Sequence, residues 1–399
     1  MGTDGVFRRF PSRGRSDRFW LRHRPLHCNG MNLSDLDGAH NPALRDIIAR
    51  RIEASGPISF TEFYELAMYH PRHGYYFTQD PTLDFQSSPN VHPVFGACIA
   101  RQLADFWRRL DRPQRFDAFE AGAGSGRLAA DILRYAAGAE PDFYACLRYV
   151  VQDVTLGGAG ARHRLEAAGL PLDKVTVAST LPDSPVIEGC ILSNELLDAL
   201  PFRRLRNRGG RLHELLVGLR EGAFVDVEAE PRPEVTAHFE ALGVAPGEGC
   251  DAEVCLAAPA WMAHAAKALR RGYVLTLDYG YEAPDLYAPW RKRGTLLTFY
   301  RHTSGDNPYA GVGRQDVTAS VDFTSVRRAG EAAGLTTAGS TTQAEFLAGL
   351  GIGEALASTP EAAQIESYYA LRRAVMELTD PAGLGRITVL TMRKEFSRG

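Results

Sequence analysis

FDAFEAGAGSGRL, residues 116–128, is the stretch on which the fold turns. An apolar run closes on Glu120, glycines follow at Gly122, Gly124 and Gly126, and an apolar segment of helix length, Leu128–Ala137, comes next. Glycines in that place let the backbone turn sharply and approach a ligand closely. Their peptide N–H groups and the start of the following helix favour an electron-rich ligand group. Taken alone, the pattern also describes a tight strand–helix turn with no ligand. A dinucleotide loop would read G-x-G-x-x-G, with open space for pyrophosphate at the helix start. Here the spacing is E-x-G-x-G-x-G, and Glu120 would repel a pyrophosphate.

Outward from this loop, four more apolar runs read as strands: RYVVQDV (148–154), KVTVAST (174–180), GCILSNEL (189–196) and GYVLTLDYG (272–280). They alternate with helix-length segments such as Pro259–Arg270, the rhythm of a parallel sheet covered by helices on both faces. The expected fold class is therefore α/β, a mostly parallel doubly wound sheet occupying residues 113–399. Two insertions interrupt it. Residues 203–230, within an insertion at about 203–235, read as a β-meander with turn signals at Gly209-Gly210 and Glu221-Gly222. Residues of about 282–320 form a Pro/Gly/Tyr-rich loop, and ITVLTMRK (387–394) supplies a late strand.

Residues 41–112 form a helical N-terminal portion. Leu44, Ile47, Ile48 and Ile52 give Asn41–Ala54 helical periodicity, and GPISFTEFYELAMYHPRHGYYF (56–77) follows with Thr61 as its expected N-cap. Residues 1–40 read as a leader. The first thirty residues hold seven arginines against two acids, which superficially suggests a mitochondrial presequence. Only four of the 45 basic residues in the chain are lysine, so arginine is the default cation throughout. A disordered or artefactual leader, with Met31 as the start, is the plainer expectation.

Composition narrows the function classes. With 399 residues and 45% hydrophobic content the chain can bury one large core with appended parts. A formal net charge of -3 gives no electrostatic case for nucleic-acid binding as a main task. No run of ~18 apolar residues exists to span a membrane. The six cysteines show neither a CxxC pair nor disulfide-framework spacing, which favours a reducing compartment and argues against structural zinc. His70 and His73 flank Pro71, which prevents a regular helix from presenting both rings to one metal. No metal site is expected, and a cytoplasmic location is expected, with the mitochondrial matrix as the alternative.

The candidate site collects at strand ends. An acid beside a glycine loop suits a cationic ligand, and S-adenosylmethionine carries an ammonium and a sulfonium. The second strand ends at Asp153, 27 residues after Gly126, where a doubly wound sheet places an acid for a ribose diol. SNELLDALP (193–201) crowds Asn194, Glu195 and Asp198 at the end of the fourth strand, and Asp278 ends the fifth. Such carboxylates match the forked donors of a guanidinium, whereas Asn194, Asp198 and Asp278 could equally cap local turns. Tyr279 and Tyr281 could wall the pocket or simply pack.

Several of these stretches together resemble the MidA-type methyltransferases, whose mitochondrial members assist complex I assembly. The resemblance spans roughly Ile47 to Lys394 and rests on AMYHPRHGYYF, DFQSSPNVHPVFG, EAGAGSGRL, NELLDALP, LTLDYG, VDFTSV and TQAEFLAGLGI in that order. It implies a Rossmann-like class I methyltransferase core with extra helical and β elements, S-adenosylmethionine as cofactor, and methyl transfer to a protein arginine, a complex I-type subunit in mitochondria. Carried over, Glu120, Gly122, Gly124 and Gly126 would line the methionine side and Asp153 would hold the ribose. Asn194 and Glu195 would face the reacting centre, Asn194 touching the cofactor as well. From placement rather than resemblance, Glu195, Asp198 and Asp278 at adjacent strand ends could form a catalytic receptor for a guanidinium. Asn90 stands where the family usually has a glutamate, and Ala123 where it usually has a proline. Methylation of a small metabolite, or a silent assembly module keeping the cofactor fold, are the alternatives. A homodimer through an apolar N-terminal helix is open.

Overall fold

The computed structural model describes residues 40–156, 165–357 and 365–395. The expected leader therefore lies outside the described residues, His40 excepted. Strands β1 (Phe116–Ala121), β2 (Leu147–Gln152), β3 (Val175–Ala178) and β4 (Ile187–Asn194) come first. The meander β5 (Arg203–Arg208), β6 (Arg211–Arg220) and β7 (Ala223–Ala229) follows, then β8 (Asp251–Val254) and the long β9 (Leu269–Asp278). After β9 come β10 (Gly280–Tyr281), β11 (Leu297–Tyr300), β12 (Thr303–Gly305), β13 (Asp316–Thr318), β14 (Val321–Asp322), β15 (Thr336–Thr342) and β16 (Thr388–Lys394).

Seven strands form the central sheet in the order β15-β16-β9-β4-β1-β2-β3. The five from β9 to β3 run parallel, and β16 and β15 add antiparallel at one edge. The chain moves from β1 outward to β2 and β3, then crosses back to β4 on the other side of β1. Order thus reverses between β1 and β4, where open α/β sheets leave a crevice beyond the strand ends.

Helices cover both faces. The longer ones are α1 (Pro42–Ser55), α2 (Phe60–Tyr69), α3 (Val94–Arg109), α4 (Arg127–Ala139), α5 (Pro233–Leu242), α6 (Ala257–Ala268), α7 (Phe323–Ala332) and, beyond β15, α8 (Gln343–Gly349) and α9 (Ile365–Leu378). On one face Phe95, Ile99, Leu103, Ile132 and Leu133 from α3 and α4 pack on Phe116, Tyr149, Leu192 and Leu275 of the sheet. On the other, Met262, Ala265 and Ala266 of α6 and Val326 of α7 pack on Phe119, Ile191, Val274 and Leu390. Burial of each large apolar side chain contributes roughly 1.5–3 kcal/mol, which is why continuous apolar strands select this layered arrangement.

The meander turns where expected: Gly209, Gly210, Glu221 and Gly222 all have positive φ, the backbone that two-residue hairpins require. Its edge strand β5 also pairs with β8, giving a separate four-stranded sheet β7-β6-β5-β8. The second insertion is more ordered than a loop, with β12, β11 and β13 forming a three-stranded sheet.

α2 begins earlier than the sequence suggested. Ser59, rather than Thr61, is its N-cap and accepts from Glu62 N at 3.1 Å. Thr61 lies inside the helix and donates to the Phe202 carbonyl at 3.0 Å. Phe60, Phe63 and Tyr64 of α2 are buried among Phe202 just before β5, Val217 and Phe224 of the meander sheet, and Val312 and Val317 of the second insertion. The N-terminal portion is thus locked to both insertions. No helix among the described residues is long and apolar enough to cross a membrane.

Candidate functional site

At the end of β1 the loop is stitched to β2. Gly122 N and Ala123 N both donate to the Gln152 carbonyl, at 2.8 and 3.0 Å. Gly122, Gly124 and Gly126 have φ of 73°, 51° and 81°, left-handed backbone that glycine adopts without strain. A Cβ at Gly122 would meet Leu196 Cδ1 at 2.9 Å, whereas one at Gly124 would meet nothing within 4 Å. The bare backbone at Gly124 thus faces open space.

Asp153 closes the loop from β2. Its Oδ2 accepts from Gly124 N at 3.0 Å, and its Oδ1 from Thr155 N and Thr155 Oγ1 at 2.8 and 2.7 Å. Glu120 is 3% exposed and accepts from the Tyr149 hydroxyl at 2.7 Å. Burial pushes its carboxyl up to about 8, against the Tyr149 bond that pulls it down. At neutral pH it is mostly protonated, and an approaching cation favours its ionised form.

Across the sheet's crossover point, β4 ends at Asn194 and the chain kinks at Glu195, a non-glycine residue with φ of 50°. Glu195 Oε1 accepts from Asn194 Nδ2 and from Ser88 N, both at 3.1 Å. Asn194 Oδ1 is buried and has no hydrogen-bond partner, a costly state unless something completes it. Asp278 is fully buried at the end of β9. Its Oδ2 accepts from Leu196 N and Leu197 N at 3.0 and 2.7 Å and its Oδ1 from Tyr279 N at 2.9 Å, so it holds the turn after β4.

Glu195 and Asp198 keep partial solvent access although burial dominates both, pushing Glu195 up to about 8 and Asp198 to about 6. Groups that are densely surrounded yet reachable by solvent line a recess. Burial and the neighbouring Asp198 drive Asp278 upward too.

Five further residues close this recess and were not singled out by the sequence reading. Asp316 on β13 is buried, accepts from the Tyr76 hydroxyl at 3.0 Å, and is pushed up to about 7 by burial and then by Asp198. The Tyr64 and Tyr69 hydroxyls both donate to the Ala199 carbonyl, at 2.9 and 2.6 Å. Thr318 Oγ1 donates to the Asp198 carbonyl at 3.0 Å, tying β13 to the same turn. Tyr69 and Tyr76 belong to AMYHPRHGYYF, so that stretch carried the only available signal. Tyr279 borders the acids, whereas Tyr281 packs with the cluster of Leu205, Val235 and Phe239, with the Arg291 guanidinium 4.2 Å over its ring.

The geometry can be set beside known proteins. A family model described as an S-adenosyl-L-methionine-dependent methyltransferase, Methyltransf_28, matches residues 98–341. The chain belongs to this family. A crystal structure of a COG1565 superfamily member from Burkholderia thailandensis, bound to S-adenosyl-homocysteine, is 30% identical with a TM-score of 0.79, covering 92% of this chain and 96% of that one. The Drosophila melanogaster protein named protein arginine methyltransferase NDUFAF7 homolog, mitochondrial, is 28% identical, covering 88% of this chain and 84% of the relative. The Homo sapiens protein arginine methyltransferase NDUFAF7, mitochondrial, is 26% identical over 78% and 74% of the two chains.

This methyltransferase uses S-adenosylmethionine as cofactor, and the residues at the crossover fit such a group. Gly124 leaves unfilled space against exposed backbone. The orphaned Asn194 Oδ1 offers an acceptor to an ammonium donor. The carboxyls of buried Glu120 and half-buried Glu195 supply latent negative charge on either side.

Proposed function

We propose that the methyltransferase acts on a protein side chain, an arginine guanidinium. The observation that carries this reading is the convergence of Glu195, Asp198 and Asp316 in one tyrosine-walled recess beside the glycine loop. Buried acids at that density are stable only when protonated or when they meet a cation. A guanidinium is always charged in water, and its planar fork matches carboxylates in pairs. The relatives named as protein arginine methyltransferases support the choice of acceptor.

S-adenosylmethionine, when bound, supplies a methyl group on a sulfonium. The chain's own residues do the rest. Gly122, Gly124 and Gly126 provide backbone for close approach, Asp153 takes the ribose diol, and Glu120 and Asn194 take the cationic amino-acid end. Asp198 and Asp316 orient the guanidinium, and Glu195, with a carboxyl near 8, accepts the proton that the attacking nitrogen must lose. Asp278, whose oxygens are taken by backbone N–H groups, positions the turn that carries Glu195 and Asp198. Alignment in a recess screened from water is the main contribution such a site makes to a displacement.

The test is incubation with methyl-labelled S-adenosylmethionine and a cell lysate. The expected result is label in protein, released as methylarginine on acid hydrolysis. Label confined to small molecules would show a metabolite methyltransferase, and label no higher than background would show a silent binding module.

A further inference from the structure

Two of the stretches quoted from the sequence, DFQSSPNVHPVFG and TQAEFLAGLGI, carry no acid of the transfer site, yet the fold joins them. Gln343, the first residue of α8, is fully buried. Its Nε2 donates to the Leu378 carbonyl at the end of α9 at 3.0 Å, and its backbone N donates to the Ile387 carbonyl at 2.7 Å. Its Oε1 accepts from Ser88 Oγ at 3.0 Å. Ser88, also fully buried, donates its backbone N–H to Glu195 Oε1 at 3.1 Å. An unbroken hydrogen-bonded path therefore runs from the C-terminal helix to the recess, across sequence separations of 255 and 107 residues.

We propose that Gln343 is a positioning residue for Glu195, acting through Ser88 to hold a backbone N–H against the carboxylate that faces the acceptor. The proposal rests on the reading of Glu195 as part of the transfer site. Its physical basis is satisfaction of buried polar groups. Without the Gln343 carbonyl, Ser88 Oγ becomes a buried donor with no acceptor, and the short turn Ser88–Val91 shifts to find one. Glu195 then loses one of its two donors and keeps only Asn194 Nδ2. The groups facing it from the surrounding elements are Asp198, Asp278, Asp316 and Tyr279. The carboxyls among them disfavour a second negative charge, so the Ser88 N–H is one of few influences that keep the anion accessible.

Gln343→Leu and the milder Ser88→Ala, alone and combined, test this in the full chain. With the protein acceptor found by lysate labelling, each single variant should lose roughly three- to tenfold in kcat at pH 7 while S-adenosyl-homocysteine affinity stays within about twofold. The acid limb of the pH profile should move to higher pH by about half a unit or more. The double variant should be no worse than the worse single one, because both remove the same link. A wild-type pH profile in variants that bind S-adenosyl-homocysteine would overturn the proposal, as would equal loss of cofactor affinity and rate. If the wild-type protein labels nothing, the methyl-transfer reading fails by itself, and hydrogen exchange at the Ser88 amide decides this one. Faster exchange in Gln343→Leu supports the path, and unchanged exchange sinks it.

Discussion

Gly122 and Gly124 stand two residues apart with the same handedness of backbone, yet their surroundings assign them different tasks. A side chain at Gly122 collides with Leu196, whereas one at Gly124 projects into open space. Gly124→Val should therefore leave the fold nearly intact, costing about 1–3 kcal/mol for a strained left-handed residue, while abolishing S-adenosyl-homocysteine binding in calorimetry. Retained binding would remove the loop from the cofactor site. Glu120 makes a second prediction at this scale. Its carboxyl rises from 4.5 to about 8 on folding, so the folded state holds the proton more tightly. Stability from this group is fully present below pH ~4.5 and is lost as pH rises toward ~8, at up to about 1.4 kcal/mol per pH unit. Glu195 and Asp316 act with the same sign. Urea unfolding of Glu120→Gln should show a shallower decline between pH 5 and 8 than the wild type, with the remaining slope owed to those acids. An unaltered slope would place the Glu120 proton elsewhere. Glu120, Asp153, Glu195 and Asp278 were legible in the sequence because each stands at the end of an apolar run. Ser88, Gln343, Tyr76 and Asp316 were not, since their part depends on contacts between segments far apart in the chain, which spacing cannot show.

Elements were legible in proportion to how much of their surface they bury. Four of the five parallel strands read directly because a strand covered on both faces is a largely apolar run, as in the wholly buried β1, whereas β3, at the sheet edge and partly exposed, read from its β-branched residues. β15, TTAGSTT, went unread. It is an edge strand, mostly exposed and broken by an irregularity at Thr337–Gly339, so burial left no alternation in its sequence. β8 was missed because half of its four residues, Asp251 and Glu253, are acids held by ion pairing and backbone donors. The start of α2 shows a subtler limit. Ser59 and Thr61 are both plausible caps by type, and Ser59-x-x-Glu62 decides only once Thr61 is seen reaching Phe202. Ser59→Ala should cost about 1 kcal/mol in denaturant unfolding as a lost cap. Thr61→Ala should cost a similar amount, but through weaker docking on the segment around Pro201, where Thr61 meets Phe202 and Tyr69 meets Ala199, so combining it with Tyr69→Phe should give a less than additive loss. Additive losses would mean that α2 is held to that turn at independent points.

At the scale of the molecule, three stretches that look like separable appendages share one core. Leu44 and Ile48 of α1, Phe60 and Phe63 of α2, Val217 and Phe224 of the meander, and Val312 and Val317 of the second insertion form one cluster. Arg204 reinforces it, donating to Asp226 at 2.6 Å beneath the Phe60 ring, with the Tyr309 hydroxyl on the same carboxylate oxygen at 2.6 Å. Scanning calorimetry should accordingly give a single transition, and S-adenosyl-homocysteine at a hundred times its dissociation constant should stabilise the whole by about 2.7 kcal/mol. A separate early transition that is indifferent to the ligand would show the N-terminal portion melting alone. The attachment of β13 to the turn at Asp198, through Thr318 and Ala319, has a consequence for how such a chain can diversify. The proposed donor seat is drawn from the ends of β1, β2 and β4, between Glu120 and Asn194, whereas Asp316 and Thr318 on the opposite wall lie more than a hundred residues further on. A chimaera that exchanges 282–320 for the matching stretch of a relative should keep its grip on the methyl donor while changing which molecules it modifies.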